Sequence, residues 1–186
     1  MIRILAGAVL ILVAFDVSLG QVSNIRRSDL KSAAYRDAAR TLREYWGDED
    51  WAQESNIQGF QTDAVYGDLT GDGSEEAAVQ VHYTMGGSGS FTGVFVYALE
   101  GGSPKLIATV RGGDRAHGGI KGVRIRNGQL LVENYRPDGE DCMSCYGSVL
   151  VSRYEWIADK LVNVGGAVRA LPRRRATRTR RSSRNH

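Results

Sequence analysis

The chain has 186 residues and a formal charge of +3, with a sequence pI near 9.0. Seven arginines and no acid fall between Pro172 and His186, whereas residues 21–170 carry 16 basic against 20 acidic side chains. The body of the chain is therefore mildly acidic, which excludes reading the high pI as a property of a basic folded domain, and its length suits one domain with its own core.

In chain order, Arg3 precedes an apolar run from Ile4 to Phe15 and the small residues Ser18-Leu19-Gly20. This reads as a secretory signal over residues 1–20, cleaved after Gly20, although Asp16 interrupts its end. The run is shorter than the ~20 apolar residues a spanning helix needs, so no transmembrane segment is expected after processing. No cysteine lies near the cleavage region, which excludes a lipid anchor on an N-terminal Cys. The expected location is secreted or periplasmic.

Residues 21–170 read as a single globular domain. Ser28 is the expected N-cap of a helix running to Trp46, with Asp29 in its first turn. Leu30, Ala33, Ala34, Ala38, Leu42 and Tyr45 recur at helical spacing, and so many alanines allow close approach to a sheet. Asp48-Glu49-Asp50 ends the helix, and a linker follows around Trp51 to Gln58.

From Phe60 the period becomes extended. Strands are expected over Phe60–Tyr66, Ala77–Thr84, Phe91–Leu99, Lys105–Val110, Gly122–Arg126, Gln129–Tyr135, Tyr146–Ile157 and Leu161–Val164. Their short connections suit antiparallel neighbours. Asn127-Gly128 is the strongest hairpin signal, because both central positions of that turn want positive φ. Phe91–Leu99 is apolar on both faces and should be a central strand. The fold class is α+β: a mostly antiparallel β-meander with one N-terminal amphipathic helix.

The connection after Tyr66 is the stretch whose residue types specify chemistry. Asp68-Leu69-Thr70-Gly71-Asp72-Gly73-Ser74-Glu75-Glu76 puts carboxylates at positions one, five and nine, a hydroxyl at three and a glycine at six. Ca²⁺ takes about six to eight oxygens, and a loop bent at glycine supplies most of them. The expected ligands are the side chains of Asp68, Thr70, Asp72 and Glu76 and the carbonyl of Ser74, with Glu75 pointing away. It is not an EF-hand: the flanks are extended and position twelve, which should be Glu, is Val79. The competing reading is an acidic turn that carries no metal.

Asp-x-Thr-Gly-Asp-Gly-x-x-Glu between two apolar strands resembles the calcium loop of FG-GAP or VCBS-type repeats, found in integrin β-propellers and many exported bacterial proteins. The resemblance covers Val65 to His82 and implies calcium on Asp68, Thr70, Asp72, the Ser74 carbonyl and Glu76, in a structural or adhesive role. Thr70 stands where the repeats usually have Asp or Asn. The motif occurs once, which excludes a complete propeller. Small exported bacterial proteins with one such loop are the nearer likeness.

Cys142 and Cys145 read most simply as a disulfide in an exported protein. Redox and zinc readings are weaker, because Asp138, Glu140 and Asp141 disfavour thiolate and no finger-like spacing surrounds the pair. The glycine-rich stretches around Ser88 and His117 leave a second function open, a small envelope hydrolase, against the favoured non-enzymatic binding module. Residues 171–186 read as a disordered arginine-rich tail suited to an anionic surface such as lipid headgroups or an envelope polymer. No aromatic residue interleaves with its arginines, so specific nucleic-acid binding is not expected.

Overall fold

The computed structural model describes residues 24–47, 49, 53–86, 90–114, 118–137 and 146–172. Among these residues one α-helix, α1 (Leu30–Trp46), precedes eight strands: β1 (Gln58–Gly67), β2 (Glu76–Thr84), β3 (Ser90–Glu100), β4 (Ser103–Asp114), β5 (Ile120–Arg126), β6 (Gln129–Pro137), β7 (Tyr146–Ile157) and β8 (Lys160–Ala170). Every pairing is antiparallel between consecutive strands. The meander divides into two four-stranded sheets, β1-β2-β3-β4 and β5-β6-β7-β8. The expected α+β class holds, and the structure adds the break between β4 and β5.

Helix α1 starts one residue later than expected. Ser28 closes the preceding short turn as its C-terminal residue, its N–H donating to the Ile25 carbonyl at 3.1 Å. Asp29 is the N-cap instead, accepting from the Ser32 N–H at 3.0 Å. The C-terminus is set by Gly47 at φ +67°, whose N–H reaches the Arg43 carbonyl, rather than by the acidic run after it.

Period-two alternation sends the two faces of the first sheet to two cores. Ala77, Val79, Val81 and Tyr83 of β2, with Phe95 and Tyr97 of β3, pack on Ala33, Ala34, Ala38 and Leu42 of α1. Ala78, Val94 and Val96 point the other way, onto Val123, Leu130 and Val132 of the second sheet. The molecule is thus three layers, helix, sheet and sheet. This is why β3 is apolar on both faces: it lies between β2 and β4 with a layer on each side. The β5–β6 turn is as read, with Asn127 at φ 52° and Gly128 at φ 71°.

The strand directions put the β1–β2, β3–β4, β5–β6 and β7–β8 connections at one end of the molecule. The candidate loop is the first of these. The described residues hold no helix long and apolar enough to cross a membrane. The signal segment, Ser88, His117, Cys142, Cys145 and the arginine-rich tail beyond Pro172 lie outside the described residues.

Candidate metal centre

The loop leaves β1 at Gly67, where a side chain would run into Ile125 Cγ2 of the second sheet at 2.6 Å. Leu69, one residue past Asp68, is buried among the residues between the sheets and anchors the loop from beneath. Gly71 at φ +80° and Gly73 at φ +86° supply the left-handed steps that reverse the chain.

Within this frame the carboxylates turn inward to the loop's own backbone. Asp68 is half-buried and accepts from the Gly71 N–H on Oδ1 (2.7 Å) and the Gly73 N–H on Oδ2 (3.1 Å). Asp72 is exposed and accepts from the Ser74 N–H at 2.7 Å. Glu76, the first residue of β2, is 1 % exposed. Its Oε2 accepts from the N–H groups of Leu69 (2.7 Å) and Thr70 (3.1 Å), and the Thr70 hydroxyl donates to Oε1 at 3.3 Å.

Burial pushes the Glu76 carboxyl above its ordinary value, and the nearby Asp72 charge adds to this. The three hydrogen bonds from Leu69 and Thr70 oppose the rise without cancelling it. Glu75 behaves differently. It faces outward in a two-pronged ion pair with Arg26, at 2.6 and 2.7 Å, and the guanidinium also lies over the Tyr66 ring, 4.7 Å from its centre. The Arg26 hydrogen bond holds the Glu75 carboxyl below its ordinary value. That pairing takes Glu75 out of the candidate ligand set.

Asp68, Thr70, Asp72 and Glu76 therefore sit on one nine-residue bend, all oxygen donors of the hard kind that calcium and magnesium prefer. Asp68 and Asp72 accept one N–H per bonded oxygen and keep lone pairs for a cation, whereas Glu76 Oε2 accepts two and leaves that capacity to Oε1. Among the described residues, no three Asp, Glu, His or Cys side chains are gathered closely enough to form a ready-made metal cluster. The donor chemistry fits calcium, and the loop's N–H groups hold its carboxylates individually. Beside it lies a cleft of about 640 Å³ bounded by Asp68, Thr70, Asn127, Gln129, Glu155 and Trp156.

Two features escaped sequence reasoning. His82 Nε2 lies 2.7 Å from Ser90 Oγ between adjacent strands. Glu133, in an ordinary-looking strand, is buried and met by three cations from β5 and β8. Neither could be found without the strand register, because the partners sit on different strands and carry no motif.

Compared with known proteins, the chain matches no family model, no curated protein and no solved structure.

Proposed function

We propose that the protein is an exported, non-enzymatic binding module whose Asp68–Glu76 loop takes up calcium as a structural ion. Asp68, Thr70, Asp72 and Glu76, with the Ser74 carbonyl, would hold it. One contrast supports this reading. Among the described residues two glutamates are buried, and Glu133 has three cations on it, while no described Lys or Arg pairs with Glu76. A buried carboxylate beside a second carboxylate is compensated by neutralisation or by a cation. A divalent ion bound to this loop would stiffen the β1–β2 connection and one wall of the adjoining cleft.

The test is calorimetric titration of Ca²⁺ into chelator-stripped protein. Binding is expected in the micromolar-to-millimolar range of extracellular modules. Glu76→Gln should remove the heat while leaving the protein folded. No heat and no thermal shift at several millimolar calcium would overturn the calcium reading. Export is tested separately, by a mature N-terminus at Gln21.

The hydrolase alternative has one observation in its favour, the His82–Ser90 contact, although it involves neither Ser88 nor His117. No carboxylate among the described residues is hydrogen-bonded to the His82 ring to orient it as a base. Ester hydrolysis that disappears in Ser90→Ala would support that alternative over the binding module.

A further inference from the structure

The outer face of the second sheet is organised around Glu133. Its side chain is only 3 % exposed, yet Lys121 Nζ at 3.2 Å, Arg169 Nη2 at 2.8 Å and the Arg124 guanidinium all reach its carboxylate. The three cations stay open to solvent, with side chains 34 %, 55 % and 59 % exposed respectively. Strand register places Arg153 across Leu131 from Arg124, and alternation along β5 puts Arg126 on the same side; both are exposed.

Among the described residues, Glu133 and Glu155 stand on this face against these five cations and Lys160, an excess of four positive charges. Glu133 neutralises one charge and fixes the position of the others. A guanidinium has five N–H donors in a rigid fork, so Arg124 and Arg169 keep donors for a further anion after meeting Glu133. With neighbouring strands about 4.8 Å apart, the cations from β5 to β8 span about 14 Å. Arg169 stands near the end of β8, where the chain continues into the segment with seven more arginines.

We propose that this face binds an anionic polysaccharide through the carboxylate or sulfate groups along its length, with Arg124, Arg126, Arg153 and Arg169 as contacts and Glu133 as a positioning residue. The inference rests on the reading of the protein as an exported surface-binding module, and is independent of the calcium loop. Two observations select the partner class. Tyr135 and Tyr146 are stacked on each other at 4.8 Å rather than interleaved with the arginines, unlike the alternation of cations and aromatic rings that holds a single strand of bases. Leu150 and Val168, both exposed, lie on the opposite face from Glu133, so a flat bilayer could not take these aliphatic groups and the cations together.

The experiment measures affinity of the full chain, in EDTA so that the calcium loop cannot contribute, for polygalacturonate, with neutral dextran, single-stranded DNA and phosphatidylglycerol vesicles as the other arms. Binding to polygalacturonate should weaken steeply with salt, as expected when counterions are released. The double variant Arg126→Gln/Arg153→Gln, which leaves every partner of Glu133 in place, should bind roughly tenfold more weakly at low salt. Its dependence on log salt should be shallower by about one to two units. Glu133→Gln makes the face more positive but releases Lys121, Arg124 and Arg169, so a positioning role predicts weaker binding, and tighter binding would overturn that role. Wild-type affinity in the double variant would overturn the proposal, as would tighter binding to DNA or vesicles than to polygalacturonate. Thermal melts of each variant confirm that the fold is kept.

Discussion

Two buried glutamates of this domain should respond to pH in opposite directions. Glu133 has its carboxyl held below the ordinary value: burial pushes it up, but Lys121, Arg124 and Arg169 together outweigh that. Its contribution is present above the unfolded value of about 4.5 and is lost as pH falls through the lower folded value. Glu76 has its carboxyl raised, so the folded state holds the proton more tightly than the unfolded chain. Its charge is a burden above the raised value, relieved as pH falls. We therefore expect Glu133→Gln to flatten the loss of melting temperature below pH 4.5 and to cost about 1 kcal/mol at neutral pH, since its partners remain solvated. Glu76→Gln should be within about 1 kcal/mol of wild type without calcium, because the amide oxygen still accepts from Leu69. Glu76→Ala should lose about 1–3 kcal/mol, because the Leu69 and Thr70 N–H groups lose their acceptor. Urea titrations of the three variants in EDTA check this ordering. Calcium binding by calorimetry should weaken on going from pH 7 to pH 5, as protons compete for Glu76.

Between elements, the joints are narrow and their failures specific. The Tyr97 hydroxyl donates to Asp37 Oδ2 at 2.8 Å, tying β3 to α1 through an otherwise apolar layer. Burial, reinforced by the Asp37 hydrogen bond, pushes this phenol up, so the proton that makes the bond stays on it throughout the working pH range. Tyr97→Phe should cost about 1 kcal/mol, read as a lower urea midpoint with the helical circular-dichroism signal intact. Gly118, at φ +90° on the way from the first sheet to the second, faces the backbone carbonyl of Tyr135, and a Cβ there would collide with it. Neither that φ nor that carbonyl can yield cheaply, so Gly118→Ala should cost about 3 kcal/mol. For a domain of this size, that is a fall of about 10 °C in melting temperature. These joints mark the limit of what the sequence makes legible. The helix stripe, the eight extended segments and the Asn127-Gly128 turn follow from periodicity and turn chemistry, which are local. The division into two sheets is not local: the link from Asp114 to Ile120 has the length of a hairpin loop, yet β4 and β5 belong to different sheets, with tight approaches at Gly112 and Gly118 beside the link. The helix start is illegible for a similar reason: Ser28 and Asp29 are both good caps, and nothing in either reveals that Ser28 closes a preceding turn and leaves the cap to Asp29.

At the scale of the whole molecule, the legible and illegible parts of the candidate sites separate along the same line. Asp68, Thr70, Asp72 and Glu76 could be named in advance because a metal-type loop is contiguous. The cluster around Glu133 draws on β5, β6 and β8, and exists only once register is set. That register also leaves the second sheet unevenly covered. The sheets meet chiefly through β5, which crosses β1, β2 and β3, whereas β8 packs on β7 alone among the elements in substantial contact. Among the described residues, the large apolar side chains that remain exposed, Leu150, Ile157, Val162, Val164 and Val168, all belong to β7 and β8. A free edge of this kind pairs with another chain unless something blunts it. Here the ladder between β7 and β8 shifts register at Arg153/Tyr154, with Gly165 at φ +123°, and Lys160 and Arg169 stand near the strand's ends. Both devices disfavour edge-to-edge growth. The expected result in native-state hydrogen exchange is therefore graded: amides of β2 and β3, covered on both faces, exchange only on global unfolding, while the outward-facing amides of β8 exchange orders of magnitude faster. The gradient should be the same in dilute and concentrated samples. Protection of β8 that rises with protein concentration would mean that a second copy covers the edge, and the change in hydrodynamic size on gel filtration would report it independently.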